Sequence, residues 1–171
     1  LTFSRRAPKK KAPVNIPAVI RDTLGFLRST LPSSITIHSE IGDECVMAYA
    51  DPTQIKQVLI NLGANAGHAM RDQGGTLEVS ESKKILDEDE VARLSQDLAP
   101  GPYIQVEVQD TGQGMDEETI EHIFEPFFTT KKGEGTGMGL AVVHGIVKEH
   151  QGAVTVRSIP GEGSTFTVLL P

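Results

Sequence analysis

The stretch YIQVEVQD, residues 103–110, constrains this chain more than any other. Side chains on a strand point alternately to its two faces, so Ile104, Val106 and Val108 share one face and Gln105, Glu107 and Gln109 the other. Asp110 continues the apolar face. A carboxylate there is costly unless hydrogen bonds hold it, so the turn that follows satisfies it or it awaits a donor. That turn is Thr111-Gly112-Gln113-Gly114, whose glycines permit positive φ and close approach of another group. Two readings stay open on local grounds. Asp110 either caps its own turn, or accepts a hydrogen bond from an exocyclic amine of a planar ligand seated over the glycines.

The rest of the chain supplies both helices and strands. Ile16, Val19, Ile20, Leu24 and Leu27 recur at helical spacing and predict a helix over 16–30, stopped by Leu31-Pro32. SITIHSEI and CVMAYA alternate as two strands. Asp51-Pro52, a capping residue followed by proline at the first helical position, opens a helix to about Asp72. A strand is expected over 76–84, and the acidic stretch DEDEVARLSQDLAPG reads as a surface excursion between strands. Residues 111–136 show no long regular element, which suggests a functional loop. A helix over 138–150, capped by Gly152, precedes a hairpin of strands 153–159 and 164–170 around PGEG. This order predicts an α+β fold, a two-layer sandwich with a mixed, mostly antiparallel sheet.

Charge divides the chain unevenly. Residues 1–13 hold Arg5, Arg6, Lys9, Lys10 and Lys11 and no acid, whereas the remainder carries eleven basic against 23 acidic residues. Pro8 and Pro13 bracket the lysines, so 1–13 reads as a basic linker following something upstream, with the folded domain over 14–171. Without interleaved aromatics, and ahead of an acidic body, the arm is not expected to bind nucleic acid. No run of 18 apolar residues spans a membrane, and no signal pattern opens the chain. The single cysteine, Cys45, has no internal partner, which fits a reducing cytoplasmic setting.

Two further places use residues that folding alone does not require. In the helix from Asp51, Gln54, Gln57, Asn61, Asn65, His68 and Asp72 form one stripe, and amides stand where a solvated helix usually carries Glu and Lys. Asparagine is a mediocre helix former, so Asn61 and Asn65 one turn apart invite a reason. They form either a polar surface stripe or two carbonyl oxygens for a hard cation such as Mg²⁺, which takes few protein ligands beside substrate phosphates. The second place is the loop. Asp116 can cap a short helix there, and Phe124, Phe127 and Phe128 require the loop to pack on something. Lys131 and Lys132 could meet phosphate oxygens or lie solvated. GEGTGMGL, residues 133–140, fits neither common phosphate-loop pattern, yet Gly137 and Gly139 open a helix whose free N–H groups suit phosphate.

In order, NLGANA, DTGQGM, FEPFF and GTGMGL resemble the N, G1, F and G2 boxes of the ATP-binding catalytic domain of bacterial sensor histidine kinases. The wider group, with its Bergerat fold, includes gyrase-type topoisomerases and ATP-driven chaperones. LTFSRR resembles the end of the helical hairpin that precedes this domain in kinases of the nitrogen-regulation type. The resemblance implies that Asn65 ligands Mg²⁺ with Asn61 beside it. It implies that Asp110 binds the adenine amino group, with Gly112, Gly114 and Met115 around the base and Thr165 supporting it through water. It implies a sheet packed on about three helices, under a lid of residues 111–136. Gly135, Gly137 and Gly139 would receive phosphates, with Thr136, Met138 and Leu140 also in the nucleotide site, Lys131 would reach the terminal phosphate, and His68 stands where many relatives carry a phosphate-contacting lysine.

Hydrolytic members of the group carry a glutamate base in the place of Asn61. An amide takes up no proton at neutral pH, so the resemblance favours transfer of the γ-phosphoryl to a protein histidine over attack by water. The acceptor would lie on a dimerisation domain of the same protein, and a response-regulator receiver domain would follow. None of His38, His68, His122, His144 or His150 has an acceptor's sequence context. The alternatives are a nucleotide-gated interaction domain or a hydrolytic ATPase.

Overall fold

The computed structural model describes residues 11–94, 98–130 and 136–171. Strand β1 (Ala12–Asn15) leads into helix α1 (Ile16–Thr30), then strands β2 (Ile35–Glu40) and β3 (Met47–Ala50), helix α2 (Pro52–Ala69) and strand β4 (Gly75–Leu86). Helix α3 (Glu88–Leu94), strand β5 (Gly101–Asp110), helices α4 (Glu117–His122) and α5 (Gly139–Glu149), and strands β6 (Ala153–Ile159) and β7 (Gly163–Leu170) complete it. The main sheet runs β2-β4-β5-β7-β6, and only β2 pairs in parallel. Helices α1, α2 and α5 pack side by side over one face of it. The expected two-layer α+β sandwich, with a mostly antiparallel sheet and three covering helices, is the fold the chain adopts.

Local signals set most boundaries. Asp51 accepts hydrogen bonds from the N–H groups of Thr53 (2.9 Å) and Gln54 (3.4 Å), and Pro52 opens α2. Asn15 caps α1 by accepting from Ala18. Along β5 the alternation puts Ile104, Val106 and Val108 into the core that Ile20, Leu62, Leu77 and Val143 also fill. Asp110 follows them inward and is 5% exposed.

Four expectations change. Ala12 and Pro13, read as linker, belong to β1, which pairs antiparallel with β3 in a small sheet of its own; CVMAYA therefore contributes only its last four residues, outside the main sheet. The acidic excursion contains α3, and Val91, Leu98, Leu86, Tyr103 and Leu169 form a second core beneath it. At the end of α5 the left-handed residue is Gln151 (φ 59°), not Gly152. The N–H groups of Gln151 and Gly152 bond back to Lys148 and Val147, the usual two-bond helix stop. The helix from Asp51 ends at Ala69, short of Asp72.

Candidate functional site

The loops after β5 and before α5 meet α2 around a cavity of about 270 Å³. Asn61, Asn65, His68, Asp110, Gly114, Met115, Thr136, Gly137, Gly139 and Leu140 all line it. Of the stripe on α2, only Asn61, Asn65 and His68 reach the cavity; Gln57 and Asp72 are exposed. Lys131 and Gly135 lie outside the described residues.

The cavity has two chemically different ends. At one, the Gln113 N–H bonds to the Ala69 carbonyl (3.1 Å), which ties the turn after Asp110 to the end of α2. At the other, the Asn61 Nδ2 donates to the Gly139 carbonyl (3.2 Å), which ties α2 to the start of α5. Eight residues of helix separate Asn61 from Ala69, a rise of about 12 Å. The first end carries a carboxylate. Burial pushes the Asp110 carboxyl above its ordinary 3.8, and the N–H groups of Gly112 and Ser164 offset part of that rise. The second end carries an α-helix N-terminus whose cap, Met138, makes no side-chain hydrogen bond. Among the described residues no side chain caps this helix start, and the first N–H groups of an α-helix suit an anion.

Three expected contacts fall elsewhere. Gly112 does not line the cavity: it packs against α2, where an added Cβ would stand 2.6 Å from the Ala69 Cβ, and its N–H donates to Asp110 Oδ1 (2.8 Å). It serves the carboxylate from behind. Met138 precedes α5 and is likewise not in the lining; its carbonyl accepts the Val142 N–H (2.9 Å). Thr165 is corrected by strand parity. It pairs with Gln109 and Arg157 on the polar face of the sheet, whereas Ser164, directly opposite Asp110, faces the cavity. Counting back two residues from buried Phe166 would have found Ser164, because i and i+2 share a face.

The loop brings in residues the sequence reading did not assign to the site. Thr119, Ile123, Phe128, Thr129 and Thr130 also line the cavity, as does Phe166 from β7. Asp116 caps α4 by accepting from the Thr119 N–H (2.9 Å). Phe124 rests near the His144 ring (5.5 Å between centroids), but Phe127 does not pack: it is 74% exposed. Its φ is 69°, and its N–H bonds to the Gly137 carbonyl (2.9 Å), so the chain turns there and the ring leaves the surface.

Gly137 and Gly139 therefore have separate tasks. Gly137 has φ +64°, and a Cβ on it would meet the Phe127 backbone at 2.5 Å, whereas a Cβ on Gly139 would meet nothing within 4 Å. Gly137→Ala should lower stability by roughly 1–2 kcal/mol, the cost of a left-handed non-glycine residue. Gly139→Ala should fold normally, since its Cβ meets nothing within 4 Å at a residue that lines the cavity, and, if the cavity takes the nucleotide that the sequence resemblance implies, should weaken its binding. Melting curves and titration calorimetry on both variants separate the two; equal stability losses would show that the glycines act as one unit.

The five histidines divide as follows. His38 is exposed on β2 and His144 on α5. His122 Nδ1 lies 2.8 Å from Glu125 Oε1 on the loop. His150 is buried, with Nδ1 against the Ile146 carbonyl (2.8 Å) and Nε2 accepting the Asp51 N–H (3.1 Å), so it joins α5 to the start of α2. Only His68 lines the cavity.

Comparison with known proteins places this cavity in context. The family described as histidine kinase-, DNA gyrase B- and HSP90-like ATPase matches residues 50–171. The sensor kinase CckA of Brucella abortus is 36% identical over the whole chain, which spans 18% of that protein. The sensor histidine kinase ZraS of Klebsiella oxytoca is 41% identical over the whole chain, which spans 34% of it. Among solved structures, the catalytic domain of the histidine kinase ThkA superposes with a TM-score of 0.75 at 28% identity, covering 95% of each chain. Among the described residues, no helix is long and apolar enough to cross a membrane.

Proposed function

The chain belongs to the histidine kinase-, DNA gyrase B- and HSP90-like ATPase family, and on that premise we propose that it is the catalytic module of a two-component sensor histidine kinase. It binds Mg-ATP and passes the γ-phosphoryl to a histidine on another domain. One observation carries this reading: a single cavity holds a buried carboxylate at one end and an uncapped helix N-terminus at the other. A nucleotide has the same polarity, a base that donates from an amine and a triphosphate that seeks N–H groups.

Asp110 accepts the hydrogen bond of the adenine amino group, with Gly114 and Met115 against the base. Gly139 and Leu140 present backbone N–H groups to the phosphates, with Thr136 and Gly137 beside them. The donor set also fits a hard cation. Asn61 spends its Nδ2 on the Gly139 carbonyl, which leaves Oδ1 as an acceptor, and Asn65 lies one turn along the same wall. Mg²⁺ held there would neutralise phosphate charge. Among the described residues, no three His, Cys, Asp or Glu side chains cluster to hold a metal, so amide oxygens and phosphate oxygens are the ligands proposed. Lys131 and Gly135 complete the phosphate seat in this reading.

In the transfer, the bond between the γ-phosphorus and the β–γ bridging oxygen breaks while a bond from phosphorus to the acceptor imidazole nitrogen forms, and ADP departs. This chain supplies alignment and charge neutralisation rather than a base. Asn61 has no proton-accepting group for water, which favours transfer over hydrolysis. The acceptor resides on a dimerisation domain of the same protein, upstream of a domain that begins near residue 12, and a receiver domain takes the phosphoryl next. The cytoplasm, where ATP is abundant, is the proposed site of action.

Incubation of the purified chain with γ-labelled ATP and a separately supplied acceptor hairpin tests the proposal. Label on the hairpin histidine is expected. Tight nucleotide binding with no transfer to any supplied hairpin would point instead to a nucleotide-gated binding domain. A second experiment concerns His68. If it faces phosphate, His68→Lys places a permanent charge there and should tighten ATP binding several-fold while leaving adenosine unchanged; a parallel gain for adenosine would remove His68 from the phosphate side.

A further inference from the structure

Ser158 lies on β6, does not line the cavity, and has no role in the reading above. Its hydroxyl nevertheless meets three groups. The Met115 N–H donates to it (2.8 Å), the Gly163 carbonyl lies at 2.9 Å, and the Ser164 hydroxyl lies at 2.9 Å. Met115 and Ser164 both line the cavity. The pairing also aligns Ser158 with Ser164, and Ser164 with Asp110, as one row across β6, β7 and β5.

A hydroxyl has one proton and two lone pairs. Ser158 satisfies all three neighbours in one arrangement: its proton goes to the Gly163 carbonyl, and its lone pairs receive the Met115 N–H and the Ser164 O–H. Ser164 has then given away its only proton. It turns lone pairs alone toward the cavity, beside a carboxylate that is also an acceptor. Resting on the adenine-site reading, we propose that Ser158 is a positioning residue for base selectivity, fixing the Ser164 hydroxyl as an acceptor and the Met115 backbone against the base.

Adenine fits such a wall because its 6-amino group donates. A 6-oxo purine, as in inosine, brings an acceptor to two acceptors and is rejected. Without the Ser158 hydroxyl, the Ser164 proton is free to turn into the cavity and meet the 6-oxo group. Selectivity then falls by more than affinity alone would.

The test is binding of ATP and ITP, by titration calorimetry on the 171-residue chain, to the wild type and to Ser158→Ala, Ser158→Thr and Ser164→Ala. Ser158→Ala should lower the ATP-to-ITP affinity ratio roughly 5- to 10-fold, the worth of one hydrogen bond. Ser158→Thr, which keeps the hydroxyl, should restore the ratio. Ser164→Ala should reproduce the loss, and the double variant should lose no more than either single one. If Ser158→Ala does not fold, Ser158→Cys fills the same space with a weak donor and acceptor and serves the same comparison. Equal weakening of ATP and ITP in the Ser158 variant, or an additive loss in the double variant, would reduce Ser158 to a structural role. A wild type that binds ATP and ITP alike would instead overturn the adenine reading itself.

Discussion

Replacing Asn65 by alanine is expected to abolish magnesium-dependent nucleotide binding while leaving the fold intact. Asn65 sits in the middle of α2, between buried Leu62 and Ala66 on one side and the cavity on the other. Alanine is the better helix former by about 0.5 kcal/mol, so the helix tolerates the change. What disappears, on the proposed reading, is the amide oxygen offered to the metal, in a cavity where, among the described residues, no carboxylate cluster can replace it. Calorimetric titration with ATP in magnesium and in chelator measures this directly. The wild type should show a large difference between the two conditions and the variant none; a variant that keeps the difference binds its metal elsewhere.

Asp110→Asn should weaken ATP binding by roughly 1–3 kcal/mol, through the loss of a charged, buried acceptor. Stability should respond differently. Burial raises the Asp110 carboxyl above 3.8, so the native state holds that proton more tightly than the unfolded chain does. Stability therefore falls as pH rises from about 3.8 through the raised native value, and the full cost is present above it. The asparagine variant lacks this decline. Its melting temperature relative to wild type should thus improve between acid and neutral pH, while its ATP affinity stays below wild type at neutral pH. Bound adenine favours the ionised form, so ATP should also lower the Asp110 pKa, seen as proton release on binding. Binding without proton release at pH values near the apo transition would remove Asp110 from the adenine contact.

Much of the site was legible because its signals are local. Asp51 and Pro52 start α2 wherever the chain is placed, since capping and proline geometry act within four residues. The alternation of β5 put Asp110 inside for the same kind of reason. Asn61, Asn65 and His68 follow from helical spacing, and the structure brings them to one wall of one cavity with Asp110 and the start of α5.

What was misread depends on partners distant in sequence. Thr165 and Ser164 are both small hydroxyl residues beside a glycine, and nothing local says which one faces Asp110. The register of β7 against β5 decides it, since a shift of one residue exchanges the faces. Gly112 reads as a ligand-contacting glycine until Ala69 of α2 occupies that side. Ala12 and Pro13 read as linker until β3, more than thirty residues on, offers them a strand. The sequence by itself determined the three covering helices, the starts of α1 and α2, the inward carboxylate and the order of the site-bearing segments, because each arises from contacts within a few residues. Only the tertiary structure decided that Ser164 faces the cavity, that Gly112 serves Asp110 from behind and that Ser158 joins Met115 to Ser164. Those assignments come from cross-strand register and packing, which no single stretch of chain contains.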